Sequence, residues 1–220
     1  MSFTRKLLAW YKRNARVLPW RKTRNPYAIL VSEFMLQQTQ VSRVLDYYPR
    51  FLKRFPTIGS LARSRPKAVM EAWDGLGYYA RARNLHQLAK RVAQTGNRIP
   101  DDPVELRTLP GVGQYTAGAV ACFAYEKPVP TVDTNVRRVL IRVFGNAEVG
   151  MPNAKLWELA SKLTPKQGKR AWRFNQALME LGALVCTARS PKCPECPVRS
   201  DCRAVRSGMQ IRSRRSAHPR

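Results

Sequence analysis

Apolar residues in this chain recur at intervals of three and four. Tyr79, Leu85, Leu88, Ala89 and Val92 fall on one helical face, and Leu30, Val31, Phe34 and Met35 form a second such stripe. No long alternation of apolar and polar residues signals a sheet. Pro, Gly, Asp and Asn punctuate the chain near Pro56, Gly75 to Gly77, Pro100 to Pro103, Pro128 to Pro130 and Gly145. The segments between them have ordinary helix length, so the expected fold class is all-α. The chain has 220 residues, 44% of them hydrophobic, enough for one large or two small cored domains.

Charge narrows the partner. Lys and Arg number 40 against 14 Asp and Glu, a net charge of +26. That excess points to a polyanion, nucleic acid first and an acidic membrane surface second. Only two His are present, His86 and His218, which argues against a His-rich metal centre or a Ser-His-Asp hydrolase. Charges interrupt Met1 to Arg24 every few residues, unlike a secretory signal. The longest uncharged run, Thr108 to Tyr125, contains Pro110, Gly111, Gly113 and Gln114, too broken to span a bilayer. The expectation is a protein off the membrane in a reducing, cytoplasmic compartment, nucleoid-associated if prokaryotic. Residues 203–220 carry six Arg and no acid, and read as a flexible basic tail. Such a tail is either a solvated terminus or a non-specific phosphate contact.

Cys186, Cys193, Cys196 and Cys202 are spaced C-x6-C-x2-C-x5-C. Four thiolates so close can converge on zinc or on a [4Fe–4S] cluster; disulfides are disfavoured in a reducing compartment. A zinc ribbon calls for two C-x2-C knuckles, and only one is present. The spacing resembles the iron–sulfur loop of the endonuclease III and MutY superfamily of DNA glycosylases, implying a [4Fe–4S] cofactor. Lys192, Arg199 and Arg203 would give that loop positive charge. Cys122 sits on an apolar segment and reads as plain core.

A second motif has the order the resemblance requires. Leu109-Pro110-Gly111-Val112-Gly113 is a tight turn before a helix, where free amides favour phosphate. It is followed by Gln114-Tyr115 and later by Val132-Asp133-Thr134-Asn135. Together these resemble the helix-hairpin-helix, Gly/Pro-rich loop and Asp signature of the same superfamily. The resemblance implies DNA-backbone contacts at Gly111, Val112, Gly113 and Gln114, and a catalytic carboxylate at Asp133. The plainer role for Asp133 is a helix N-cap. Bifunctional endonuclease III-like enzymes carry Lys where this chain has Tyr115; without that amine the Schiff-base route is closed, so a monofunctional enzyme is expected. Tyr115 and Asn135 would position Asp133 and a water.

Val31-Ser32-Glu33-Phe34-Met35-Leu36-Gln37-Gln38-Thr39-Gln40-Val41 looks like the MutY segment. Glu33 lies on an apolar helix. Either a salt bridge satisfies it, or desolvation keeps it protonated near neutral pH. A protonated acid suits adenine, which leaves poorly as an anion. Gly75-Leu76-Gly77-Tyr78-Tyr79-Ala80-Arg81 also resembles MutY, implying Leu76 near the lesion pair and Tyr78 as an intercalating wedge; the alternative is that both are core. The resemblance further puts Gln38 against the base opposite adenine. It puts Trp20 and Arg21 of Leu18-Pro19-Trp20-Arg21 in the base pocket, although Trp20 also suits a core. In Phe174 to Gly182 it puts Glu180 at the exocyclic amine of adenine.

The resemblance covers residues 5–203 and is to MutY-type adenine DNA glycosylases, here without their C-terminal NUDIX-like domain. It implies two helical lobes flanking a DNA-binding cleft: residues 26–127 as the helix-hairpin-helix lobe, residues 1–25 plus 128–202 as the cluster lobe, and 203–220 as the tail. The implied function is monofunctional base-excision repair on double-stranded DNA, by a monomer. It would hydrolyse the N-glycosidic bond of adenine mispaired with 8-oxoguanine or guanine, with weakened discrimination between those two. A T·G or U·G mismatch glycosylase and a non-catalytic, cluster-bearing DNA-binding module are the alternatives.

Overall fold

A computed structural model describes residues 2–146 and 150–208, and its regular elements are all helical. The pairing closest to a strand among the described residues is an isolated bridge between Asn146 and Gly150. The helices, in order, are α1 (Phe3–Asn14), α2 (Pro26–Leu36), α3 (Val41–Arg54), α4 (Ile58–Arg63), α5 (Pro66–Trp73) and α6 (Ala80–Gln94). They continue with α7 (Pro103–Leu106), α8 (Gln114–Tyr125), α9 (Thr134–Phe144), α10 (Asn153–Leu163), α11 (Gly168–Leu184) and α12 (Arg203–Arg206). Contacts divide the chain into two compact units. One joins Met1–Arg16 to Pro128–Arg220, and the other is Val17–Lys127.

The Val17–Lys127 unit is built round α2. Asn25 starts this helix by accepting from the Tyr27 and Ala28 amides, with Pro26 in the first turn, where no amide is required. Tyr27 to Met35 are all buried, as in a helix apolar on every side. It packs on α3, α6 and α8, while α4 and α5 pack on α6. Glu33 is therefore the one charged side chain on a central core helix. Residues 17–25, expected with the cluster lobe, group with this unit instead. The cause is local: the 3-10 turn Pro19–Arg21 lies on α2, and Trp20 packs edge-on against Tyr48, centroids 5.5 Å apart.

In the other unit α1 packs on α11, and α10, α11 and α12 pack on α9. Leu7, Val136, Val139, Leu140, Leu156 and Phe174 fill its core. The start of the expected tail is ordered helix: α12 begins at Arg203, and Ala204 is buried. The remainder of that tail, 209–220, lies outside the described residues. No helix among the described residues is long and apolar enough to cross a membrane.

Close approach of α11 to α9 depends on Gly182. A Cβ there would stand 2.7 Å from Asn135 Cβ and 3.0 Å from the Asn135 carbonyl oxygen. Gly to Ala inside a helix ordinarily stabilises by about 1 kcal/mol. Gly182→Ala is expected to reverse that sign and cost about 1–3 kcal/mol through overpacking, lowering the midpoint of a thermal melt. An unchanged or higher midpoint would show that α9 yields.

Candidate active site and cysteine centre

Glu33 is only 4% exposed. The Tyr115 hydroxyl, from the first turn of α8, donates to its Oε2 at 2.7 Å. The bond joins the two stretches that sequence singled out in this unit, the apolar α2 and the helix after the hairpin. It fixes the carboxyl in orientation as well as in burial.

The hairpin before α8 is shaped by close approach. Gly111 has φ +76°, and a Cβ there would meet Asn84 Cβ at 2.8 Å and Phe34 Cε1 at 2.9 Å. Gly113, at the N-cap of α8, supplies no side-chain cap to the first-turn amides. Gly111, Gly113 and Gln114 are exposed, whereas the Val112 side chain is buried and anchors the loop. Any phosphate contact at Val112 is thus a backbone contact.

Gln38 and Tyr78 are both exposed and both have left-handed backbone, φ +57° and +48°. L-residues other than Asn and Asp rarely adopt it. Each loop is held by Arg81 from the first turn of α6, described further below.

In the other unit Asp133 caps α9. Val136 N–H donates to Oδ1 at 2.7 Å, and Asn135 Nδ2 donates to Oδ2 at 3.0 Å. Arg138 in turn donates to Asn135 Oδ1 (2.8 Å), to the Gly182 carbonyl (2.7 Å) and to the Cys186 carbonyl (2.8 Å). Burial pushes the Asp133 carboxyl above the ordinary aspartate range, against the pull of the Val136 amide, Asn135 and the Arg138 charge. The N-cap role suggested by sequence is therefore present, and it is the same geometry that orients the carboxylate.

All four cysteines of 186–202 line one cavity, together with Val139 and Leu181. Among the described residues no three His, Cys, Asp or Glu side chains meet closely enough to hold a single metal ion. Thiols that share one cavity wall can converge on a single bound group. Burial pushes the Cys196 thiol up to about 11 and raises Cys193, and the neighbouring thiols act in the same direction. Only a strongly positive centre holds such a set ionised. Arg142 clamps the start of the loop through the carbonyls of Thr187 (2.7 Å) and Ala188 (3.0 Å) and approaches Cys186 Sγ at 3.4 Å.

Residues 31–166 match the family of HhH-GPD superfamily base excision DNA repair proteins. The chain belongs to that superfamily. Residues 186–202 match the iron-sulfur binding domain of endonuclease III, and the four cysteines are the residues that would hold its [4Fe–4S] cluster. The chain is 50% identical over 195 residues to an adenine DNA glycosylase of Mycobacterium tuberculosis strain H37Rv, covering 87% of this chain and 64% of that protein. It is 45% identical over 216 residues to the adenine DNA glycosylase of Rattus norvegicus, covering 92% of this chain and 42% of that protein. The chain thus spans less than two thirds of the length of these relatives. Among solved structures it resembles a thermostable thymine-DNA glycosylase (TM-score 0.87, 32% identity, covering 93% of this chain and 95% of that one). It also resembles endonuclease III in a trapped covalent intermediate with DNA (TM-score 0.80, 25% identity, covering 94% and 95%).

Within this HhH-GPD frame the remaining expected site residues differ in burial and partners. Glu180 is fully buried, with Oε1 accepting from the Arg16 amide (2.9 Å) and Nε (2.7 Å) and Oε2 from Nη2 (3.1 Å). It fastens the chain after α1 to α11. Leu76 is 5% exposed, and Trp20, 7% exposed, packs on Tyr48. Arg21 is half-buried beside α2. Tyr78, by contrast, is 60% exposed, so the core alternative fails for it. Sequence reasoning missed Arg81, Arg138, Arg142 and Arg16. In a chain this basic an arginine carries little signal, and the one available cue was position beside an already suspected loop.

Two outcomes follow. The folded chain holds the Asp133 proton more tightly than the unfolded chain does, so the ionised carboxyl costs stability that grows as pH rises through the raised value. Relative to the parent chain, the melting midpoint of Asp133→Asn should shift upward as pH rises from below the ordinary aspartate value of 3.8; a constant difference across the whole acid-to-neutral range would contradict the raised value. Cys196→Ser should lose the visible absorption of the iron–sulfur group and lower the melting midpoint, whereas Cys122→Ser should keep the absorption.

Proposed function

We propose that this chain is a monofunctional adenine DNA glycosylase acting on adenine mispaired with 8-oxoguanine or guanine in duplex DNA. The observation that carries this reading is Glu33: a carboxyl buried on an otherwise apolar core helix, with one oxygen held by the Tyr115 hydroxyl at 2.7 Å. Adenine must be flipped out of the stack before any side chain reaches its glycosidic bond, and mispairing lowers the cost. Glu33 then gives its proton to N7 as the C1′–N9 bond breaks. The bonding pair leaves with the base, and adenine departs neutral instead of as an anion. Asp133 stays ionised beside the electron-poor sugar, which its Asn135, Val136 and Arg138 partners favour and its burial opposes. Water adds to C1′ and returns a proton to Glu33, leaving free adenine and an abasic site. Two carboxyl groups in unlike environments follow the general logic of glycoside cleavage.

The adenine glycosylases similar in sequence support the choice of base, and the charge of +26 supports a DNA partner. The exposed Gly111, Gly113 and Gln114 at the start of α8 are suited to backbone phosphates. Tyr115 has no amine to form a Schiff base, so the product should be an intact abasic strand. The [4Fe–4S] cluster would lie on Cys186, Cys193, Cys196 and Cys202 as an architectural group that positions a basic loop. A T·G or U·G glycosylase is the second reading, favoured by the likeness to the thymine-DNA glycosylase structure.

Single-turnover reactions on duplexes bearing one A·8-oxoG, A·G, T·G or U·G pair, read with and without hot alkali, separate the readings. Alkali-dependent cleavage at adenine is expected, slowed about 10²–10⁴-fold by Glu33→Gln and less by Tyr115→Phe. Cleavage at thymine or uracil would transfer the assignment to the second reading. No cleavage at any pair would leave a DNA-binding module.

A further inference from the structure

Two irregular loops in the Val17–Lys127 unit converge on one guanidinium. Arg81 is 7% exposed. From the segment that ends α2, Nη1 donates to the carbonyls of Phe34 (3.1 Å), Met35 (2.8 Å) and Gln37, and Nη2 to Thr39 Oγ1 (3.0 Å). From the segment before α6, Nη2 donates to the carbonyls of Leu76 (3.1 Å) and Gly77 (3.0 Å), and Nε to Tyr78 at 3.4 Å. The same group lies over the rings of Trp73 and Tyr78, 5.5 and 5.4 Å from their centroids.

No carboxylate is among these partners, so this is not an ion pair. It is a planar donor serving backbone carbonyls from two chain segments about forty residues apart in sequence. Each segment carries one exposed non-glycine residue with left-handed backbone, Gln38 and Tyr78, a conformation that persists in such residues only where surroundings impose it. Gln37, Gln38, Tyr78, Tyr79 and Arg83 line a shallow open depression between the loops, about 500 Å³ in volume. Further contacts stiffen the second loop: Tyr79 donates to Asp74 Oδ1 at 2.6 Å, and Trp73 Nε1 to the Gly77 carbonyl at 3.3 Å.

We infer that Arg81 is a positioning residue that locks the two loops to each other and so presents Gln38 and Tyr78 as one preformed pair for reading a base pair. The inference rests on the reading of the chain as a mispair glycosylase. A probe ordered before DNA arrives loses less freedom on binding, and the gain is largest where both side chains engage, at the mispair. Removing the lock should therefore reduce selectivity for the mispair more than general DNA affinity, which the exposed basic residues set. An arginine that merely capped α2 would couple only the first loop.

The test uses the full chain with its cluster, as parent and Arg81→Lys, with Thr39→Val as a milder second variant. Hydrogen exchange is followed in peptides covering 36–40 and 76–80. Binding is measured on one duplex carrying A·8-oxoG and on its A·T counterpart. Arg81→Lys should speed exchange in both segments together while α4 and the middle of α6 keep their protection. It should lower the ratio of mispair to matched affinity at least tenfold, with matched affinity changing less than twofold. Thr39→Val, which touches only the first loop, should still speed exchange in 76–80; this arm decides the matter if Arg81→Lys fails to fold. Exchange confined to 36–40, or an equal loss of affinity for both duplexes, would overturn the proposal. If the parent chain does not distinguish the duplexes, the mispair reading fails, and the exchange arm alone decides whether Arg81 couples the loops.

Discussion

Guanidinium groups bonded to backbone carbonyls hold the loops on which the rest of this structure depends. With 40 basic and 14 acidic side chains, most arginines have no carboxylate to pair with. A buried or half-buried cation still needs acceptors, and loop carbonyls outside helices need donors. The two deficits cancel. Arg81 ties the end of α2 to the start of α6, Arg138 ties α9 to the end of α11 and to Cys186, and Arg142 ties α9 to the beginning of the cysteine loop. Arg16, bonded to the fully buried Glu180, is instead paired with a carboxylate. The planar fork of arginine is essential here, since lysine offers a single point of charge and cannot reach carbonyls of two segments at once.

The two carboxyl groups of the proposed mechanism live in different kinds of surroundings. Glu33 is on a helix whose other buried side chains are uncharged, and its described partner, the Tyr115 hydroxyl, is neutral. Asp133 accepts from an amide N–H and an Asn amide, with a guanidinium one bond beyond. Dipoles and a nearby cation favour the charged form, and an apolar shell favours the neutral one. Burial raises the Asp133 carboxyl against the pull of these donors.

How much of this was legible beforehand depends on which physical signal each feature leaves in a sequence. The helices around Leu30 to Met35 and Leu85 to Val92 were legible because burial imposes a period near 3.6. The cysteine loop and the hairpin were legible because metal ligands and tight turns demand particular residues at particular spacings. The Arg16 partner of Glu180 was not legible because the motif says nothing about it: Arg16 lies 164 positions away and belongs to the same unit only through the packing of α1 on α11. Residues 17–25 were grouped wrongly for the same reason, since an edge-on contact between Trp20 and Tyr48 leaves no local pattern. The helical start of the expected tail was hidden by arginines, which mask the single buried Ala204.

Likeness in sequence and likeness in shape point to different bases, adenine for the bacterial and mammalian relatives and thymine for a solved structure of TM-score 0.87. A scaffold that close cannot itself choose the base, so the choice must lie in a few side chains. Glu33 is the candidate proposed here, a carboxyl buried on an otherwise apolar core helix. An apolar residue of similar size at that point of α2 would pack among the same neighbours without the cost of desolvating a carboxyl. Pyrimidine leaving groups carry negative charge comparatively well, while adenine needs a proton at N7 before it departs. In the proposed reading, a buried acid oriented by Tyr115 meets that need. The cost of burying Glu33 is thus intelligible if the base is a purine.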